Sequence, residues 1–511
     1  LAVLSAALVL AGCGTANPPA PSASPGPSSP PSAAAAATTP PTTPSPSPTP
    51  APTAAPTAPP VVTGTWVSPA DGAKLTKSAL TLSASVDVAP STEAIASVAY
   101  SVQSGSATRP ACTATKPDAK GEWTCAVDLW GLGVIPGPVT FSIEATLAGG
   151  QTVAIGTRGA ALGAGAALVP GSAGCSGLVA AIDPSGGYHL AADCAGMIRY
   201  WSSGSDGRWS LTKFSPPAGT VERAPATAFD GETAYVFYTL VEAPRGCSGP
   251  PVAPIAHPGV YYRKRALPDG KWSNPVQVGK DKDTLQAGVG GAGAFYLAVT
   301  DGDGKRYSER LAGSDASRVP LAYSSVALGI GSDGSLHLAY TKTSGGVLQY
   351  GTLNGSSVAS QPLTGTNTGD WPWGLVLGAG DIPYAVVVRD HTGTIGSRTF
   401  VGCDGNPPDP SDGVYVASLA SGAWTAERIT TEVAPAAIAI APDGTTPYVL
   451  VAGAKLKLYA KGASGWSSTV LSTKTVTSPV LLADAATGGM VVAYGLYDAS
   501  GGSLYFQIRA R

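Results

Sequence analysis

Chemistry in this chain would have to come from few side chains. Its 511 residues include 33 Asp or Glu, 31 Lys or Arg, 10 Trp, 7 Cys and 4 His. The candidates for a shared site are Glu222, Arg223, Asp283, Arg318, Asp370 and Glu432, with Trp371 and Trp373 beside them. Two carboxylates about 5–10 Å apart could hydrolyse a glycoside. Exposed indoles could instead stack on sugar faces or anchor a protein. The sequence fixes no such carboxylate separation. It has no Gly-x-Ser-x-Gly elbow and no phosphate loop. The His are too scattered for a sequence-local zinc site, and Asp301-Gly302-Asp303-Gly304-Lys305 lacks the terminal ligand of a calcium loop. No cofactor or metal is expected, and non-catalytic binding leads.

Those candidates matter only if a scaffold gathers them. After residue 170, a strand, a short Gly/Asp turn and a second strand recur. The first core position of the second strand falls at 189, 235, 296, 337, 384, 448 and 491, giving intervals of 46, 61, 41, 47, 64 and 43. A later Trp follows in four units, at Trp209, Trp272, Trp424 and Trp466. A unit of four short antiparallel strands every ~45 residues is the signature of a β-propeller blade. Seven anchors predict seven blades, with six as the alternative. The last unit ends at its third strand, so residues near 160–171 are expected to supply the fourth and close the ring. Ligands are expected on the face where the innermost strands begin. The candidates fall there, and two long insertions add Arg245, His257, Arg389, Asp390, His391 and Asp404. His189 and His337 share one repeat position and are read as core residues.

The turn Ser203-Gly204-Ser205-Asp206-Gly207-Arg208-Trp209 resembles a degenerate Asp-box of sialidase-type propellers. The resemblance implies architecture only, since Asp boxes stabilise turns. The early Arg-Ile-Pro signature of sialidases is absent. Arg318-Val319-Pro320 is similar but sits mid-domain.

Upstream the chain changes character twice. Residues 1–12 are apolar and small and fit a secretory signal that lacks its start. Leu10-Ala11-Gly12-Cys13 resembles the bacterial lipobox, which implies a lipid on Cys13 and membrane anchoring. Residues 13–60 read as a tether; 17 Pro and no charge in residues 14–60 favour an extended spacer. Residues 61–158 alternate with period two in short strands and resemble immunoglobulin-like or fibronectin-like modules, here a sandwich. Residues 159–511 form the propeller.

With Cys13 lipidated, six Cys remain for three disulfides. Cys112 and Cys125 flank a turn, and Cys175 and Cys194 flank another, so each pair is expected across a hairpin. Cys247 and Cys403 lie one in each long insertion and are expected to bridge the channel mouth. The net charge of −2 excludes a basic-patch nucleic-acid binder, and no internal apolar run reaches 18 residues. The sequence therefore predicts an all-β, lipid-anchored monomer at the cell surface that binds carbohydrate or protein. A glycoside hydrolase or lyase is the alternative, and an envelope scaffold a third.

Overall fold

The computed structural model describes residues 60–89, 93–105, 107–243, 257–291, 294–312, 315–342, 347–355, 357–363, 370–391, 409–496 and 502–509. Cys13, Arg245, Cys247, Cys403 and Asp404 lie outside the described residues. Among these, strands dominate, and the helical segment is one short 3-10 turn, Ala379–Asp381. No helix among them is long and apolar enough to cross a membrane.

Residues 61–162 form two facing sheets of three and five strands. Alternation buries one face of each strand, and Trp66, Tyr100 and Phe141 meet between them. The Cys112–Cys125 disulfide forms, but not across a hairpin. Cys112 lies in Ala107–Ala114 of the larger sheet and Cys125 in Glu122–Asp128 of the smaller. The turn between them carries the chain from one sheet to the other, so the bond joins the two layers.

The remaining strands make seven four-stranded antiparallel sheets. Their innermost strands are Cys175–Ile182, Thr220–Asp230, Thr284–Gly291, Tyr323–Ile330, Asp370–Leu377, Ala436–Ile440 and Val476–Asp484, which number the sheets 1 to 7. Each innermost strand lies beside those of the flanking sheets, and that of sheet 7 returns to sheet 1. The ring is closed. All seven anchor positions fall on second strands. The last sheet borrows its outer strand, Ala167–Leu168, from before sheet 1. This joins the two ends of the ring and shortens an exposed edge.

Each seam between sheets buries an apolar layer, which no sheet could do alone. Near the axis the taper demands small residues. A side chain at Gly290 would meet Phe295 and Ala228 at 2.6 and 2.7 Å. At the wide rim, indoles fill the seam. Trp209 packs on Phe506 of sheet 7, Trp272 on Tyr200 of sheet 1, and Trp424 on Tyr350 of sheet 4. Each latches its sheet to the preceding one.

Antiparallel order puts the turns after first and third strands on one face, here the lower, and the other connections on the upper. The sandwich docks on the lower face. Leu129, Trp130, Leu132 and Val134 share one apolar cluster with residues of sheets 1 and 7. The Asp128 N–H donates to the Asp206 carbonyl at 3.1 Å. Both long insertions leave from the upper face.

Candidate binding site at the upper channel mouth

The upper end of the channel is built from irregular backbone. In six of the seven sheets the innermost strand slips register against the second near its start, as between Arg223 and Ala226 or Pro372 and Gly374. A bulge frees residues from the ladder and re-aims them. In the neighbouring sheets 7, 1 and 2 it contains a left-handed residue: Ser478 at φ 49°, Gly177 at 62° and Ala224 at 51°. Such a conformation costs a non-glycine residue about 1 kcal/mol or more. Ser478 and Ala224 precede Pro479 and Pro225, which fix the chain beyond.

These segments leave polar groups accessible around the opening. Ser176 is exposed, and Arg223, Gln286, Ser324 and Ser478 are partly so. Sheet 5 contributes Trp371 and Trp373, both partly exposed. Trp373 leans on the apolar layer between sheets 5 and 6. In a ring of seven, sheet 5 stands three places from both sheet 1 and sheet 2. The start of its innermost strand therefore lies opposite those of Ser176 and Arg223 in the ring.

The predicted carboxylates have other partners. Glu222 is 0% exposed. Its Oε2 accepts the Ile198 N–H at 3.0 Å, and Oε1 lies 3.8 Å from Arg263. Burial raises its pKa. Asp283, 1% exposed, accepts the Lys280 N–H at 2.6 Å and a hydrogen bond from Arg318. Arg318 also reaches buried Glu309 at 3.0 Å and lies over the Tyr307 ring. Burial raises Glu309 as well. Asp370, 1% exposed, takes a two-pronged pair from Arg389 at 2.8 and 3.1 Å. Arg389 in turn stacks on Tyr415. Partly exposed Glu432 pairs with Lys457. Each acid thus faces a cation, on the same sheet for Glu222 and Asp370 and on the sheet that follows for Asp283 and Glu432, and no two of these four share a partner.

The insertion residues divide. His391 binds Asp412 at 2.6 Å at the base of one insertion, beside buried Asp390. His257 is exposed and 3.2 Å from Asp281. The Asp301 turn is closed by N–H donors from Asp303 and Lys305 at 3.0 and 2.8 Å. Among the described residues, no group of three or more His, Cys, Asp or Glu side chains is placed to hold a metal ion.

One constellation looks catalytic and is structural. His189 is 2% exposed. It lies 2.8 Å from Asp183 through Nε2 and 2.5 Å from the Tyr200 hydroxyl through Nδ1. Burial pulls its pKa down and leaves it neutral, so Nε2–H donates to Asp183 and Tyr200 O–H donates to Nδ1. Burial opposes ionisation of Asp183, but hydrogen bonds from His189 and Ser185 hold it at about 2. Both ring nitrogens are occupied, and the group locks a turn of the lower face. The Cys175–Cys194 disulfide joins directly paired residues of the same sheet.

The sequence reading missed Ser176, Gln286, Ser324 and Ser478 at the mouth, and the counterions Arg263, Glu309 and Lys457. A signal for two of the bulges was present in Arg223-Ala224-Pro225 and Thr477-Ser478-Pro479. A proline so near the start of an innermost strand marks a break in its ladder.

Comparison with known proteins gives no family model that matches this chain and no matching curated protein. Solved structures similar to it include the Hadza microbial sialidase Hz136, with 11% identity, TM-score 0.41, and coverage of 85% of this chain and 93% of that one. A Trypanosoma rangeli sialidase gives 9% identity, TM-score 0.39, and 71% and 56% coverage, so this chain spans little over half its length. An Aleuria aurantia lectin mutant, solved with Fucα1-6GlcNAc, gives 14% identity, TM-score 0.35, and 59% and 96% coverage. Likeness at this level assigns no role to any residue here.

Proposed function

We propose that this chain is an exported surface lipoprotein, anchored through Cys13, in which an immunoglobulin-like module carries a seven-bladed propeller. The upper channel mouth binds a carbohydrate without catalysis. One observation carries this reading: sheet 5 leaves two indoles partly exposed near the start of its innermost strand and other sheets leave hydroxyl and amide groups partly exposed at theirs, while the acids nearby are paired with cations. Stacking on Trp371 and Trp373 with hydrogen bonds from the opposite wall suits a sugar ring, which has an apolar face and a polar rim. Hydrolysis would need one carboxylate free to exchange a proton and a second aimed at the same bond. The pairing of Asp283, Asp370 and Glu432 with cations, and the burial of Glu222, support binding over turnover.

A glycan array probed with the full secreted Cys13→Ser chain tests the reading, beside a hydrolysis screen. Binding lost in the Trp371→Ala chain is expected. Turnover abolished by changing Glu222, Asp283, Asp370 or Glu432 would overturn it. Metabolic labelling with palmitate, present in the native chain and absent from Cys13→Ser, tests the anchor.

A further inference from the structure

The turn of residues 203–209, which resembles an Asp-box, has a close-fitting neighbour. It is the sandwich loop 129–136, between strands Glu122–Asp128 and Gly137–Leu147. At the edge of that loop the Asp128 N–H reaches the Asp206 carbonyl. A Cβ on Gly131 would lie 1.8 Å from the Gly207 carbonyl oxygen, and one on Gly207 would lie 2.0 Å from the Asp128 carbonyl oxygen. Backbone meets backbone here, and a side chain on either glycine would force the two apart.

The same loop reaches sheet 7. A Cβ on Gly133 would meet the Tyr188 hydroxyl of sheet 1 at 2.4 Å and Thr487 of sheet 7 at 2.9 Å. Beside Gly133, the Tyr188 hydroxyl donates to Asp484 of sheet 7 at 2.5 Å, a hydrogen bond that spans the seam between the two sheets. Leu129, Trp130, Leu132 and Val134 share an apolar cluster with Leu190 and Trp201 of sheet 1 and Leu482 and Phe506 of sheet 7.

This seam adjoins the one place where the ring lacks covalent continuity. The break falls inside sheet 7, between its third strand Ser503–Arg509 and its borrowed outer strand Ala167–Leu168. The borrowed strand pairs at Tyr505 and Phe506, whereas the outer strand of sheet 6 follows its neighbour from Leu456 to Gly462. Only residues 163–166 separate the borrowed strand from the last strand of the sandwich, Thr152–Leu162. A module held on so short a connection meets its docking surface at high effective concentration.

We propose that loop 129–136 is a clasp that holds the ring shut. The sandwich stands on the covalent side of the break and grips sheet 7 on the other side. Its docking on the turns 204–208 and 485–488 sets how often sheet 7 parts from sheet 1. The Asp-box-like turn is then a docking surface, and its partner is the sandwich of the same chain. Such parting is a local opening, distinct from unfolding of the whole ring.

Amide hydrogen exchange, read by mass spectrometry on the secreted Cys13→Ser chain, tests the clasp in two variants. Gly131→Ala pushes the loop off the turn, and Tyr188→Phe removes the bond across the seam without filling space. In each, exchange in Val476–Asp484 and Ser503–Arg509 should rise by roughly tenfold or more. Exchange in Thr284–Gly291 and Tyr323–Ile330 of sheets 3 and 4, and in Ala79–Ala89 within the sandwich, should keep the native rate. If Gly131→Ala does not fold, Tyr188→Phe decides alone. Native exchange in sheet 7 of either folded variant overturns the proposal. A rise shared equally by all seven sheets also overturns it, because the loop would then stabilise the fold as a whole and close no particular seam.

Discussion

The two faces of the ring handle polar groups in opposite ways. On the lower face, aspartates close several of the turns by accepting hydrogen bonds within them. Asp183 accepts from the Ser185 and Gly187 N–H groups at 2.8 and 2.9 Å as well as from His189. Asp206 takes the Arg208 N–H at 3.0 Å, and Asp484 takes Ala486 N–H at 2.9 Å and the Tyr188 hydroxyl at 2.5 Å. The sandwich then covers the seam of sheets 1 and 7. On the upper face, the ladders break into bulges, and Ala195, Ala224 and Ser478 sit in left-handed backbone. One face is built to be finished. The other holds bulged, partly left-handed backbone that leaves polar groups accessible, which is where binding is to be sought.

The largest way to break this contrast is to undo the lower face. Trp130→Ala removes a nearly buried indole from the docked sandwich, and a loss of about 3–5 kcal/mol in urea unfolding is expected. The folded fraction should keep its ligand affinity, because the mouth is at the other end of the channel. Next comes Asp370→Ala, which strands the buried Arg389 guanidinium and should cost about 3 kcal/mol. Replacing both partners with apolar residues should recover much of that, which distinguishes a structural pair from a ligand-binding acid.

A smaller effect is expected at Asp183→Asn, about 1–2 kcal/mol near neutral pH. Its sign with pH is fixed. Asp183 sits at about 2 in the fold against 3.8 ordinarily, so its contribution is present above the ordinary carboxylate range and lost as pH falls through about 2. His189 acts in the same direction: its lowered pKa means stability present above 6.5 that declines as the medium acidifies. Urea midpoints from pH 2 to 8 should therefore rise with pH in the native chain and rise less in the variant. Smallest is Asp206→Ala, which removes one turn hydrogen bond at the surface and should cost about 0.5–1 kcal/mol.

Repetition made the ring legible. An apolar strand, a Gly/Asp turn and a second apolar strand had to recur because each unit meets the same neighbours, and His189, Tyr296 and Val491 could be aligned without coordinates. The Trp of the later turns was readable for the same reason, although Trp272 and Trp424 precede their outer strands instead of lying in them. The exchange of a strand at Ala167–Leu168 followed from the missing fourth strand of the last unit. The site was less legible. Glu222, Asp283 and Asp370 were correctly expected near the starts of innermost strands, but their counterions come from other strands of the sheet, at Arg263, Arg318 and Arg389. Partners so far away in sequence leave no local pattern. The Cys112–Cys125 pair shows the same limit: equal arms about a turn suggested a hairpin, while the chain was crossing between two sheets.

Whether the mouth, and not the acids around it, holds the ligand is open to one direct measurement. Equilibrium binding of an array-selected saccharide should be compared in the native, Trp371→Ala and Trp130→Ala chains, with melting temperature measured alongside. Trp371→Ala should weaken binding by roughly tenfold or more at unchanged melting temperature, and Trp130→Ala should do the reverse. Native affinity in the Trp371→Ala chain, or cleavage of the bound saccharide by the native one, would contradict it.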